Sequence, residues 1–210
     1  MKLLIIGGTG GTGKELIKQA LEQGHSLTAL VRNPEKIKTA HPNLSLIKGN
    51  VLDPDKVQEA VTGQDAVLSA LGHKRFFIKT RILSEGTKNI IDAMEKQNVM
   101  RFICITSLGI NDSRFKLGLY YTLFVIPVIV FFYFWDKSKQ EKLIQSSSLD
   151  WTIVRPGQLF DGKKRGMYKH GTNVGNYILT KLISRADVAH FILSQLSDTS
   201  YLRKAPGVAY

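Results

Sequence analysis

A single cysteine in 210 residues excludes a good deal of chemistry at the outset. Cys104, inside the apolar run Phe102-Ile103-Cys104-Ile105, has no second thiol, so neither a disulfide framework nor a cysteine-based metal site can form. No metal centre is expected, and a reducing compartment suits the lone thiol. A secretory signature is missing as well. Met1-Lys2-Leu3-Leu4-Ile5-Ile6-Gly7 carries one basic residue and too short an apolar run before glycines interrupt it, so the cytoplasm is the expected location.

Acidic residues are scarce, 17 against 29 Lys and Arg, a balance that favours anionic ligands, acidic partners or a phospholipid surface. The cations are spread along the chain, with short clusters only at His73-Lys74-Arg75 and Lys163-Lys164-Arg165, and no nucleic-acid-binding motif accompanies them. A nucleic-acid partner is therefore not expected; a small-molecule substrate is. Low-complexity linkers and solenoid repeats are absent too. At 43% hydrophobic and 22% charged residues the composition is that of a globular chain with a packed core. The length suits one domain over 1–210, since α/β domains run to about 250 residues.

Short β-branched runs alternate with longer segments of helical period, the pattern of parallel βαβ units. The spacing predicts strands at 2–6, 26–31, 44–48, 66–70, 101–106 and 151–155, and hence an α/β fold: a single Rossmann-type, doubly wound parallel sheet with helices on both faces. Asp53-Pro54 predicts a helix start, with Asp as N-cap and Pro at the first helical position. Ser184-Arg185-Ala186-Asp187 resembles a capping box with Asp in place of Glu. Within 78–96, the apolar residues Ile82, Leu83, Ile90, Ile91 and Met94 form one stripe of a buried helix.

Directly after the first strand comes Gly7-Gly8-Thr9-Gly10-Gly11-Thr12-Gly13, followed by the helix-forming Lys14-Glu15-Leu16-Ile17. Glycines permit a tight turn and a close approach of backbone to a pyrophosphate, whose charge meets the amides and dipole of the helix N-terminus. Two registers fit, Gly8-x-Gly10-x-x-Gly13 and Gly7-x-Thr9-Gly10-x-x-Gly13, while the spacing of a Walker A loop does not. Some twenty residues on, where sites for NAD place an acid, stand Arg32-Asn33. A guanidinium there grips a 2′-phosphate, so the expected cofactor is NADP(H).

These residues together resemble the atypical short-chain dehydrogenase/reductases, in the NmrA-like branch that includes the biliverdin IXβ reductase/flavin reductase group. The resemblance runs nearly the whole length. Besides the glycine turn it is carried by Leu30-Val31-Arg32, Gly49-Asn50-Val51-Leu52-Asp53, Gly63-Gln64-Asp65-Ala66-Val67, Ser84-Glu85-Gly86-Thr87, Thr106-Ser107, Asp150-Trp151-Thr152-Ile153-Val154-Arg155-Pro156-Gly157 and Ile183-Ser184-Arg185-Ala186-Asp187-Val188-Ala189. It implies cofactor contacts at Gly7, Thr9, Gly10, Gly11, Thr12, Gly13, Arg32, Asn50, Val51, Leu71, Gly72 and His73, with Ser107, Pro156 and Gln158 near the nicotinamide. Asn50 and Gln158 depart from the flavin reductases, which carry Asp and His there, so substrate identity stays open.

Hydride transfer needs a bound cofactor, a substrate stacked on it and a donor where charge develops. Ser107, after the 101–106 strand, is the first candidate for such a donor, with a local turn-making serine as the alternative. Tyr133-Phe134-Trp135-Asp136-Lys137 has the Tyr-x-x-x-Lys spacing that wider superfamily members use, and a chance match within an aromatic segment is the competing account. Of the two, Lys137 is expected nearer the cofactor.

The last feature is an uncharged run over 117–135, inside an apolar insertion at about 115–136. It is long enough for a transmembrane helix, but its flanking strands belong to one parallel sheet and Pro127 interrupts it. A buried helix, a lid over the nicotinamide, and an interface with a membrane surface or a second subunit are the remaining uses; lid plus interface is expected. Three functions are compatible with the whole: an NADPH-dependent reductase of a flavin, quinone or tetrapyrrole, a catalytically silent NADP(H)-binding sensor or assembly factor, and a carbonyl- or sugar-nucleotide-active dehydrogenase.

Overall fold

Six strands fall where apolar, β-branched residues predict them: β1 (Lys2–Ile6), β2 (Ser26–Val31), β3 (Leu44–Lys48), β4 (Ala66–Ser69), β5 (Arg101–Ile105) and β6 (Asp150–Pro156). In the computed structural model, which describes residues 1–73 and 76–210, they pair in parallel in the order β3-β2-β1-β4-β5-β6. Lys74 and Arg75 of the first basic cluster lie outside the described residues. The order reverses between β1 and β4, and that reversal opens a crevice at the carboxyl ends of the strands.

Four short strands were not foreseen. β7 (Gln158–Phe160) and β9 (Leu182–Ser184) form a separate parallel pair, while β8 (Lys169–Gly171) and β10 (Gly207–Ala209) extend the main sheet beyond β6. β8 runs antiparallel to β10, so the sheet is mostly rather than wholly parallel. Three-residue strands carry too little periodicity to be read locally; the sheet edge they complete decides them.

Helices α1 (Gly11–Glu22) and α5 (Arg185–Ser194) cover one face of the sheet; α2 (Pro54–Val61), α3 (Ile82–Lys96) and α4 (Phe131–Ser146) cover the other. The alternation along β1 shows why both faces need cover. Leu3 and Ile5 pack with Leu16 and Ile17 of α1 and Val188 of α5, whereas Leu4 and Ile6 pack with Val57 of α2 and Ile90 and Met94 of α3. Each of these side chains is essentially inaccessible and contributes about 1.5–3 kcal/mol of burial.

The predicted caps form. Asp53 Oδ1 accepts from the amides of Asp55 and Lys56 at 3.1 and 3.2 Å, with Pro54 at the first helical position. Ser184 Oγ accepts from the Asp187 amide at 3.0 Å and donates to Asp187 Oδ2 at 3.0 Å. The latter differs from a capping box: Asp is too short to reach back to the N-cap amide, and takes the hydroxyl instead. Asp187 also accepts from the Arg165 and Gly166 amides and from the Tyr210 hydroxyl. Burial raises its pKa, but these donors outweigh it and hold the carboxyl below its ordinary range.

One expectation is corrected. The helix read over 78–96 begins four residues later, at Ile82, where its apolar stripe also begins, because Asp136 of α4 caps α3 there. Its carboxylate accepts from the Leu83 amide at 2.9 Å, the Ser84 amide at 3.1 Å and the Ser84 hydroxyl at 2.5 Å. Of the three uses left open for the apolar run, a buried helix does not fit. Leu117 is buried, but a π-helical segment, Tyr121–Ile129, has no buried residue, and it meets α4 at a bend of 98°. Among the described residues no single helix is long and apolar enough to cross a membrane; that bent pair satisfies length and composition only together.

Candidate dinucleotide and substrate site

The glycine turn takes up a geometry that needs its glycines. Gly7 sits at φ +80°, and a Cβ there would fall 2.4 Å from the Ala70 carbonyl oxygen. A Cβ at Gly13 would fall 2.2 Å from the Gly7 carbonyl oxygen, so the first turn of α1 packs directly on the end of β1. These contacts favour the register Gly7-x-Thr9-Gly10-x-x-Gly13. Gly10 forms the N-cap and donates to Gly7 O at 3.0 Å; a Cβ on it would meet only that oxygen, at 3.3 Å, and otherwise point outward.

A dinucleotide fits this turn. The first α1 amide to bond back is that of Lys14, to Gly10 O at 2.9 Å. The amides of Gly11, Thr12 and Gly13 therefore have no partner in the helix. No acidic residue stands in the first turn and no side chain caps it, so nothing on the helix competes with an anion for the positive end of the dipole. Arg32 is exposed where β2 ends beside β1, and Asn50 is exposed after β3 with its Oδ1 accepting from the Leu52 amide at 3.2 Å.

The other predicted residues line the same carboxyl edge. Val51 and Leu71 meet over α3 at Gly86, where a Cβ would lie 2.7 Å from Val51 Cγ1 and 3.3 Å from Leu71 Cδ2. A Cβ on Gly72 would lie 3.3 Å from the Tyr133 hydroxyl. The His73 ring stands edge-on to Tyr133 at 4.8 Å, with its Nε2 3.0 Å from Thr80 Oγ1. One turn on along α4, Lys137 Nζ lies 5.2 Å from the centre of the Tyr133 ring and donates to the Ile105 carbonyl at 3.5 Å. Gly72, His73, Tyr133 and Lys137 are thus brought together, with Lys137 at the end of β5.

Ser107 and the 156–158 turn form the next stretch of the edge. Ser107 Oγ donates to the neighbouring Leu108 carbonyl at 2.8 Å, and the Leu108 amide donates to Pro156 O at 3.1 Å. Pro156 is buried and Gln158 exposed, its amide donating to Lys181 O. Above this loop Ile126 and Phe134 approach Gly109, where a Cβ would fall 3.2 Å from each, so the apolar segment roofs the Ser107 loop.

The NAD(P)H-binding family matches residues 7–199, almost the whole of the chain. The chain belongs to that family. The NAD(P)H-binding fold recurs at full length in solved structures. An anaerobillin reductase, ChuY, from Escherichia coli O157:H7 superposes with a TM-score of 0.81 at 23% identity, covering 100% of this chain and 97% of that one. A short-chain dehydrogenase/reductase from Veillonella parvula, in complex with NADP, gives 0.81 at 20% identity over 100% and 94%. Among curated proteins, an uncharacterised chloroplastic protein of Arabidopsis thaliana is 33% identical over 75% of this chain and 59% of its own length. The photosystem II assembly factor Ycf39 of Synechocystis is 26% identical over 77% and 46%. The chain spans about half the length of these two relatives.

In this NAD(P)H-binding chain two features of the site carried no readable sequence signal. Arg185, the first residue of α5, lies against the glycine turn: a Cβ on Gly11 would fall 2.5 Å from its Cδ and 2.7 Å from its Nε. Its guanidinium pairs with Asp161 at 2.8 Å and stands beside the first amides of α1. The second is a buried ion network. Glu141, fully buried on α4, accepts from Thr106 Oγ1 at 2.5 Å, Asn111 Nδ2 at 2.8 Å, and Arg155 Nε and Nη2 at 2.9 and 2.6 Å. Arg155 also grips Asp112 through two bonds of 2.9 and 2.6 Å. That hydrogen bonding holds the Asp112 carboxyl below its ordinary range. The network ties the loop after β5, with Ser107 in it, to α4 and β6. Cys104 takes no part in thiolate chemistry, since burial pushes its thiol up to about 12.

Proposed function

We propose that the chain is an NADPH-dependent reductase of a planar, redox-active small molecule of the flavin, quinone or tetrapyrrole class, acting by direct hydride transfer. Lys137 carries this reading. Its ammonium group belongs to a side chain only 4% exposed, at the edge where the crevice opens, and among the described residues it has no ion-pair partner within 4.0 Å. A cation in such a position is available to an anion that develops next to it.

The bound nicotinamide supplies the hydride; the chain's own residues supply position and charge. Hydride addition to a flavin, quinone or tetrapyrrole leaves negative charge on the acceptor until a proton arrives. The Lys137 ammonium, withdrawn from water, stabilises that charge more strongly than an exposed lysine would. Tyr133 and His73 offer aromatic surface for a flat acceptor. Arg32 selects the 2′-phosphate and so NADPH over NADH. The anaerobillin reductase among the structural neighbours is in keeping with a tetrapyrrole acceptor.

A second reading, an NADP(H)-binding assembly factor without turnover, draws on the likeness to Ycf39. Spectrophotometric screening of NADPH oxidation against flavins, quinones and tetrapyrroles separates the two. Turnover on any of them supports the reductase. Tight NADPH binding with no turnover overturns it in favour of the assembly factor. Turnover only on carbonyl compounds or sugar nucleotides, abolished by Tyr133→Phe, overturns it in favour of Tyr133 as a proton donor.

A further inference from the structure

The positive charge of the chain is not spread evenly once the sequence is divided at its acids. Three stretches, 66–84, 113–135 and 162–186, hold four, two and six Lys or Arg and no Asp or Glu. They account for the whole net charge of +12; the rest of the chain is balanced. The three begin at or follow β4, β5 and β6, neighbouring strands, and their described cations lie on the chain that connects these strands onward from their carboxyl ends.

The same stretches hold the exposed apolar surface. Among the described residues, every exposed large hydrophobic side chain falls within them except Met1, Leu46, Leu52 and Met100. The stretches also touch. The Leu119 amide donates to Ile178 O at 3.1 Å, Thr180 Oγ1 donates to Leu117 O at 3.0 Å, and Phe76 packs edge-on to Tyr133 at 5.6 Å. At their centre stands the segment Tyr121–Ile129, apolar all round, with Phe124 60% and Val128 69% exposed. A helix apolar on every side belongs in a core or in lipid; here one side rests on the Ser107 loop through Ile126, while Leu123, Phe124, Pro127, Val128 and Ile129 stay exposed.

We infer that this edge docks on an anionic phospholipid bilayer, with Tyr121–Ile129 entering one leaflet and the cations of the three loops meeting the headgroups. Length sets the depth. Nine residues reach at most about 14 Å even at the α-helical rise, against a hydrocarbon core of about 30 Å. The bend of 98° and the buried Asp136 and Lys137 fix α4 to the protein, so the segment cannot be prolonged into a span. An interfacial helix ordinarily carries its own cationic face; here Arg114, Lys116, Lys79 and Lys181, on the flanking chain, take that part. A second copy of the chain is disfavoured as occupant because the two facing surfaces would carry charge of the same sign.

Cosedimentation of the full chain with vesicles tests this, using phosphatidylcholine alone and phosphatidylcholine mixed with phosphatidylglycerol. The mixed vesicles are expected to capture the protein, neutral vesicles to bind at least about tenfold more weakly, and added salt to release part of the bound fraction. Phe124→Glu should weaken capture by about tenfold or more, the order expected for withdrawing one buried aromatic side chain, with NADPH affinity unchanged as the control for folding. Phe124→Trp should show fluorescence quenched by brominated acyl chains. No capture by mixed vesicles overturns the inference. Capture that Phe124→Glu leaves intact overturns the insertion, and a dimer dissolved by Phe124→Glu without lipid binding assigns the face to a second copy.

Discussion

Arg32 and Lys137 are cations in opposite settings, one exposed at the end of β2 and the other withdrawn from water on α4. An exposed guanidinium contributes where it meets a dianionic phosphate directly. Arg32→Ala should therefore weaken NADPH by about 30-fold, from the loss of roughly 2 kcal/mol in a charge-assisted contact, and leave NADH nearly unchanged. Calorimetric titration of both cofactors against both proteins reads the difference, and equal losses would show that Arg32 does not meet the phosphate. Lys137→Met keeps the length and the packing of the stem while removing the charge. Its turnover should fall by about 100-fold, the scale for one preorganised charge-stabilising group, with NADPH affinity changed much less. Steady-state rates at saturating NADPH check it. Ser107 ranks below Lys137 as a source of stabilisation because its hydroxyl already donates to the Leu108 carbonyl.

Between β5 and β6 the elements explain how the site keeps its shape. Glu141 on α4 takes four hydrogen bonds, two of them from Arg155 on β6, and thereby fixes the loop that holds Ser107. Replacing Glu141 leaves the buried Arg155 with Asp112, an exposed carboxylate, as its one remaining ion-pair partner among the described residues. Glu141→Gln should lower stability by about 3–5 kcal/mol, read as a shift in the denaturant midpoint. Little change would mean that Asp112 alone neutralises Arg155. The fold was legible here only in part. β1 to β6, the Asp53 and Ser184 caps and the glycine turn follow from local period and local chemistry, and they recur within a residue or so of the predicted bounds. The start of α3 was misplaced because its cap is Asp136, far along the chain. The Glu141 network and the stacking of Arg185 on Gly11 are of the same kind, made by residues distant in sequence and matched only in the folded chain. β7 to β10 were missed because three residues hold no period. In the 117–135 run, composition revealed the apolarity, but neither the π-helical turn nor its exposure.

For the molecule as a whole, charge governs both association and stability. Asp187 and Asp112 titrate below their ordinary range, Asp187 against its own burial and Asp112 under the Arg155 hydrogen bond. A carboxyl depressed in the folded state stabilises the fold above its unfolded value, near about 4, and that contribution is lost as pH falls through the lower folded value. Stability should therefore be level from neutrality down to about pH 5 and drop steeply below about pH 4. Asp187→Asn should be less stable at pH 7 and show a shallower acid loss than the parent. Urea midpoints measured across that range decide it, and parallel curves for the two proteins would exclude Asp187 as a source of the drop.

The functional expectations rest on a dinucleotide lying across the Gly7–Gly13 turn, and Gly10 offers the most direct test of that placement. A side chain at Gly10 clears the protein except for the Gly7 carbonyl and points to where the pyrophosphate would approach. Calorimetric titration of NADPH into the parent protein and into Gly10→Val, with circular dichroism to confirm that the variant is folded, is the decisive measurement. Saturable binding to the parent, and none to a folded Gly10→Val, is the predicted result; a folded variant that binds NADPH as tightly as the parent would contradict the account.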